Sequence, residues 1–309
     1  MKIYTLTLSP AVDLIISLRD KYKPNTVNRA YDEVFSAGGK GINVSRVLKT
    51  LGRNSTAIAF VGELSGKFIE YELKRFGIES DFVYFNKPTR INVKLIDSSG
   101  TTEINTPNPP ITKEDVLNMA KKLAKVKKDD VIIISGGLPK TISLEVFEKS
   151  LNILYRAGAY FCIDMAGKPL LRSLKFNPFL VKPNLAELEE TLYIKTHNDN
   201  EIVDAAKRLI SMGARNVIVT LGPKGAIFVN DELVIKMASP DGVVHNTSGA
   251  GDSFIAGFID EFFKTNDYMK AFKKGIIVGA ATAFSTDLTD IDMINEVSKK
   301  MNSKGGLSK

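Results

Sequence analysis

The sequence predicts an α/β fold: a mostly parallel β-sheet with helices on both faces, accompanied by a small second β-layer. Two observations carry this prediction. Short apolar runs bounded by turn residues alternate along the chain with stretches of helical spacing, the order expected of strand-helix-strand units. Two further stretches, 13–35 and 89–104, break that rhythm and read as extended, alternating segments.

The elements follow in order. Residues 1–8 read as a strand of alternating character. Continuous apolar runs at 55–61, 131–135, 160–163, 179–181, 217–220 and 226–229 are short and lack a polar face, as strands buried on both sides do. Between them, 41–51, 66–76, 112–124, 143–157, 184–192, 200–212 and 252–263 space their apolar residues at helical intervals. Stretch 13–35 carries the turn signal Lys23-Pro24-Asn25, and 89–104 carries Asp97-Ser98-Ser99-Gly100. Each stretch adjoins a candidate polar site, so the two are expected to leave the main sheet and pair over the mouth of a pocket. Edge strands of the main sheet are the alternative. The expected organisation is one domain over 1–309, with these two stretches inserted in it.

Composition excludes several classes. At 44% apolar and 25% charged residues, the 309-residue chain is neither disordered nor fibrous and is long enough to bury a real core. Lys and Arg total 42 against 35 Asp and Glu, a net charge of +7 that suits a phosphate-bearing partner. The basic residues are dispersed, with local concentrations at Lys121, Lys122, Lys125, Lys127, Lys128 and in the C-terminal tail. These read as solvated helix faces and a frayed end, so no nucleic-acid partner is expected. Cys162 is the sole cysteine and lies in an apolar run, which excludes an intrachain disulfide and favours burial over catalysis. Residues 1–8 lack the long apolar run that a secretory signal needs, and no apolar run approaches the ~20 residues of a membrane span. A cytoplasmic protein without a membrane partner is expected. His197 and His245 are the only histidines, which argues against a histidine-rich metal site or a Ser/His/Asp triad.

Asn246-Thr247-Ser248-Gly249-Ala250-Gly251-Asp252-Ser253-Phe254 is the strongest local signal and opens a helix. Small residues let backbone amides crowd at a helix N-terminus, where unpaired N–H groups and the helix dipole favour an anion. Asp252 can cap that helix, or it can take a proton from a hydroxyl that attacks a bound phosphoryl group. A second motif, Ser36-Ala37-Gly38-Gly39-Lys40-Gly41-Ile42-Asn43, offers close backbone approach together with a cation and an amide. A polyol phosphate suits that set; a glycine-rich turn explains the glycines but not Lys40 or Asn43. Neither a G-x-G-x-x-G fingerprint nor a Walker A motif is present.

Lys182-Pro183-Asn184-Leu185-Ala186-Glu187 follows a buried strand. Asn184 and Glu187 lie one helical turn apart and can face a hydrated Mg²⁺, or form a capping pair that needs no metal. Thr220-Leu221-Gly222-Pro223-Lys224-Gly225 joins two strands at an expected carboxyl edge of the sheet, where ligands bind, although a tight turn accounts for the segment equally well.

In this order the segments resemble the PfkB family of sugar kinases in the ribokinase superfamily, over nearly the whole chain. Segments 248–252 and 37–43 look like the family's C-terminal and N-terminal signatures, and they stand about 200 residues apart. Segment 184–187 matches its N-x-x-E motif and 220–225 its nucleotide-binding turn. The start Tyr4-Thr5-Leu6-Thr7-Leu8-Ser9-Pro10-Ala11-Val12-Asp13, with Gly39-Lys40-Gly41, resembles the branch that acts on phosphorylated hexoses. Lys40 departs from the minor 6-phosphofructokinase pattern, which has glycine there, and Asn246 replaces the Asp of many relatives.

This resemblance implies a ribokinase-like fold with a β-sheet lid and transfer of the γ-phosphate of ATP, with Mg²⁺, to a small-molecule sugar phosphate. Fructose 1-phosphate is the expected acceptor. A tagatose-6-phosphate kinase and a non-catalytic sugar-phosphate or nucleotide sensor are the alternatives. Asp252 would be the base, and the amides of Gly249, Ala250 and Gly251 would stabilise the transferred group. Asp13, Gly38, Gly39 and Asn43 would hold the sugar, with Lys40 and Arg90 on its phosphate, while Arg29 and Lys94 read mainly as exposed strand charges. Lys182, Asn184, Glu187, Thr220, Gly222, Pro223, Lys224, Gly225, Ser248 and Gly251 would hold the nucleotide, Glu187 reaching the metal through water. A homodimer through the lid is also expected.

Overall fold

The first strand is buried end to end because helices cover both faces of the sheet around it. The computed structural model describes residues 1–304; the expected basic tail and the end of the 1–309 domain lie partly outside the described residues. The strands are β1 (Ile3–Thr7), β2 (Ala11–Leu18), β3 (Ala30–Gly38), β4 (Thr56–Gly62), β5 (Glu79–Ser80), β6 (Val83–Phe85), β7 (Ile91–Asp97), β8 (Gly100–Ile104), β9 (Val131–Ser135), β10 (Tyr160–Asp164), β11 (Leu180–Val181), β12 (Asn216–Thr220), β13 (Ala226–Asn230) and β14 (Val234–Met237). The helices are α1 (Lys40–Thr50), α2 (Glu63–Arg75), α3 (Lys113–Leu123), α4 (Leu144–Ala157), α5 (Gly167–Ser173), α6 (Leu185–Leu192), α7 (Asp199–Ser211), α8 (Ala250–Thr265), α9 (Tyr268–Ala283) and α10 (Ile291–Lys304).

Ten strands form the main sheet in the order β14-β13-β12-β11-β10-β9-β1-β4-β5, with β6 beside β4. Pairing is parallel from β12 across to β5 and antiparallel for β13 and β14. Chain order reverses at β1, which has β4 on one side and β9 on the other, so a crevice opens beyond the carboxyl ends of β1 and β9. One apolar cluster packs on the face covered by α3, α4, α6 and α7 and includes Ile132, Leu151, Leu188 and Leu209. A second, with Val47, Ile133, Phe258 and Phe272, fills the face under α1, α8, α9 and α10.

Residues from the two rhythm-breaking stretches do leave the main sheet. They form a separate four-stranded sheet, β3-β2-β7-β8, in which β2 and β7 run parallel. It begins at Ala11 and ends its second strand at Gly38, wider than the expected 13–35. The added residues are held by the ladder Ala11–Gly38, Val12–Ala37 and Asp13–Ser36, which carries the glycine motif into the sheet as its last strand residues.

Candidate active site

A cavity of ≈ 830 Å³ lies in that crevice, roofed by the second sheet. Its floor is the first turn of α8. Gly249 stands there as N-cap with φ 79°, a conformation that favours glycine, and a Cβ on it would lie 2.6 Å from Leu288. A Cβ on Gly251 would lie 3.1 Å from Lys182 Nζ, so a buried ammonium presses against the glycine turn. Ala250 begins the helix, its amide donating to the Thr247 carbonyl at 3.3 Å, and Gly249, Ala250 and Gly251 line the cavity at the positive end of the helix dipole.

Asp252, 4% exposed, is in the first turn of α8. Its Oδ2 accepts a 2.8 Å hydrogen bond from Asn43 Nδ2, which joins the two glycine motifs. Burial, and then the charge of Asp164, push its carboxyl up to about 7, against the pull of Asn43, Lys40 and Lys182.

Asp164 ends β10 and is 1% exposed. Lys182 Nζ stands 3.1 Å from one carboxylate oxygen and Lys40 Nζ 3.4 Å from the other. Burial works to raise the Asp164 carboxyl, but the two ammonium groups outweigh it and hold the group below its ordinary range. Lys40 also lies 3.7 Å from Glu187, and Asp164 above all keeps its ammonium firmly protonated. Asn184 and Glu187 form the reciprocal capping box of α6, with bonds of 2.8 and 2.9 Å. The box uses Glu187 Oε2 and leaves Oε1 toward Lys40.

The second sheet supplies the other wall. Asp13 on β2 accepts a 3.0 Å bond from Asn92 Nδ2 on β7. A Cβ on Gly38 would fall 2.4 Å from Asp13, so Gly38 backs this carboxylate and does not line the cavity itself. Gly39 lines it, with φ 120°. Arg90 is half-buried at the rim and donates to the carbonyls of Ser9, Pro10 and Thr106 at 3.2 to 3.3 Å. Lys94 Nζ donates to Ser248 Oγ at 3.2 Å, bridging roof and floor.

On the far side Thr220, Gly222, Pro223 and Gly225 line the cavity, and Lys224 is exposed outside it. A Cβ on Gly225 would fall 2.0 Å from the Met237 carbonyl, so the turn requires glycine. Arg29 is exposed ahead of β3, and His245 is exposed while its amide donates to Ala283. Cys162 is fully buried, which raises its thiol pKa and removes it from chemistry. Asp164 and Asn92 escaped the sequence reading as site residues. For Asp164 the available signal was a carboxylate directly after the buried run 160–163, at the edge where ligands bind.

The chain matches the pfkB family carbohydrate kinases over residues 7–293. It belongs to that family. ATP is the phosphate donor that membership implies. This pfkB kinase is 36% identical over 296 residues to 1-phosphofructokinase of Borreliella burgdorferi, covering 96% of each chain. It is 31% identical to D-tagatose-1-phosphate kinase of Bacillus licheniformis, covering 97% of this chain and 98% of the other. Phosphofructokinase-2 of Escherichia coli, solved in complex with fructose-6-phosphate, superposes with a TM-score of 0.90 at 27% identity, covering 97% and 99% of the two chains. Its main sheet, second sheet and flanking helices are thus those of a ribokinase-like sugar kinase. No helix among the described residues is long and apolar enough to cross a membrane.

Proposed function

We propose that this hexose-phosphate kinase transfers the γ-phosphoryl group of ATP to a hydroxyl of fructose 1-phosphate, giving fructose 1,6-bisphosphate and ADP. The observation that carries the reading is the placement of Asp252: a carboxylate 4% exposed, held at 2.8 Å by Asn43, in the first turn of a helix whose glycine turn lines the same cavity, where burial pushes its pKa up to about 7. A base tuned near neutrality beside an anion cradle serves proton removal during phosphoryl transfer, and a sensor of sugar phosphate has no use for it. The similarity to 1-phosphofructokinase supports the choice of acceptor.

Asp13, held by Asn92 and backed by Gly38, and Asn43 would fix the sugar hydroxyls, with Gly39 allowing close approach. Arg90 at the rim would meet the phosphate already on the sugar, its planar fork suiting phosphate oxygens. Lys40 lies between Asp164 and Glu187, so we assign it to charge on the transferring group. As the accepting oxygen attacks the γ-phosphorus, its proton passes to Asp252, and ADP leaves with the bridging oxygen. The amides of Gly249, Ala250 and Gly251 would hold the phosphoryl oxygens through the transfer. The nucleotide would lie along Thr220, Gly222, Pro223 and Gly225 toward Ser248, with Lys182 on its phosphates.

Mg²⁺ fits the donor set. Both Asp164 oxygens are buried without an aligned hydrogen bond, beside the Lys182 and Lys40 ammonium groups, Glu187 Oε1 is outside the capping box and 3.7 Å from Lys40, and two carboxylates with phosphate and water oxygens suit this ion. Bound there, it would shield the nucleotide phosphates, with Glu187 reaching it through water. We also assign a homodimer to the second sheet, where Tyr31, Val34, Ile96 and Ile104 are exposed.

The test is ADP release with MgATP and fructose 1-phosphate, tagatose 6-phosphate, fructose 6-phosphate or free fructose at matched concentrations. The proposal expects kcat/KM for fructose 1-phosphate at least about tenfold above the rest, ~1.4 kcal/mol of discrimination. Similarity to a tagatose-6-phosphate kinase makes tagatose 6-phosphate the second reading, and its preference in this assay would replace fructose 1-phosphate.

A further inference from the structure

Along β7, side chains two residues apart share a face, and successive ones on that face advance ~6.6 Å. Arg90 just ahead of the strand, then Asn92 and Lys94, therefore step across the roof of the cavity, which all three line. Their partners change in step. Arg90 reaches the carbonyls of Ser9 and Pro10, Asn92 reaches Asp13 at the proposed sugar end, and Lys94 reaches Ser248 beside the glycine turn.

Lys94 has an uneven electrostatic setting. It is half-buried, and its only polar contact among the described residues is a neutral hydroxyl. Glu103 stands opposite it in the β7–β8 ladder but makes no ion pair with it among the described residues and does not line the cavity. Nearby is the positive end of the α8 dipole, an unfavourable neighbour for an ammonium group. Lys182, whose ammonium pairs with Asp164 at 3.1 Å, lies against Gly251 of the same turn. The Lys94 ammonium above, with no carboxylate partner among the described residues, and the positive end of α8 below thus face one volume, an arrangement that an anion between them would satisfy.

We propose that Lys94 binds the β- and γ-phosphate oxygens of the nucleotide, so that closure of the roof delivers a cation to the donor rather than to the acceptor. The inference rests on the kinase reading above. It divides the charges of β7 by task, with Arg90 on the acceptor phosphate and Lys94 on the donor. The Ser248 hydroxyl marks where the ammonium rests before phosphate replaces it. A roof that lacks this cation would close over ATP and AMP alike, whereas Lys94 makes closure depend on the terminal phosphates.

The experiment measures ATP and AMP affinity by calorimetry, and steady-state kinetics, for the full chain and its Lys94→Met and Lys94→Arg variants, with melting temperatures as folding controls. Lys94→Met should weaken ATP about 10- to 100-fold, the range of a charge-assisted hydrogen bond, and change AMP by less than about twofold. Lys94→Arg should recover most of the loss, and the KM for the sugar phosphate should stay within about twofold. Equal effects on ATP and AMP, no effect on either, or a rise confined to the sugar-phosphate KM would each overturn the assignment. If the wild type turns over no sugar phosphate, the kinase reading fails, and the ATP-to-AMP ratio still decides the role of Lys94.

Discussion

Asn43 and Asp252 lie 209 residues apart in the chain, and their side chains meet at 2.8 Å. One belongs to the first turn of α1 and the other to the first turn of α8, so this bond closes the catalytic floor from two separate motifs. It also sets proton affinity, because a donor on a carboxylate favours the charged form. Asn43→Ala removes the donor and should raise the Asp252 pKa above its value of about 7. The base must be ionised to act, so the loss of kcat should be larger at pH 6 than at pH 8. A pH-rate profile checks this, and an unshifted acid limb would mean that the bond does not tune the base.

Asp252→Asn should lower kcat by about 10² to 10⁴, the usual contribution of a positioned base, with ATP affinity nearly intact. Stability should move the other way. Because the folded pKa lies above the unfolded one, the stabilising effect of the neutral acid is present at low pH and is lost as pH rises through about 7. The Asn variant should therefore gain melting temperature over the wild type at pH 8 and show a smaller gain at pH 5. Parallel thermal melts measure both.

Lys182 and Asp164 form the most buried ion pair of the site, with side-chain exposures of 5% and 1%. Lys182→Met leaves Asp164 with Lys40 alone and should cost about 3 kcal/mol, since removing one partner strands a buried charge. Urea unfolding at neutral pH reads the loss. A cost below about 1 kcal/mol would show that Lys40 suffices for Asp164.

Arg90→Ala should raise the KM for the sugar phosphate and leave the KM for ATP unchanged. Steady-state kinetics with each substrate varied decides it. A rise confined to ATP would exchange the two substrate ends of the cavity.

Much of this architecture is legible in sequence for local reasons. Residues 131–135 form a strand within the bounds their apolar run sets, because both faces are covered and no polar alternation blurs the signal. Thr112 and Ala124, the outer residues of another expected segment, are the caps of α3, with Thr112 and Asp115 in a reciprocal box. Helix α9 is less legible. Its segment Gly275-Ile276-Ile277-Val278-Gly279-Ala280-Ala281 is apolar on every side, since it packs so closely on α8 that a Cβ on Gly275 would fall 2.6 Å from Phe254. Periodicity needs a solvent face, and this stretch has none. In the site, Asn184 and Glu187 form the capping box, one of the two readings offered for them, and the other Glu187 oxygen lies toward Lys40. Asp164 is hidden in the sequence because the apolar run ends at Ile163, and a carboxylate one residue later looks like a loop charge until neighbouring strands bring Lys182 beside it.

The most direct test of the central claim is ³¹P NMR of the products formed from MgATP and fructose 1-phosphate by the wild type and by Asp252→Asn. The account predicts fructose 1,6-bisphosphate and ADP in equal amounts from the wild type, and almost none over the same interval from the variant. ADP accompanied by inorganic phosphate, or equal product from both proteins, would contradict it.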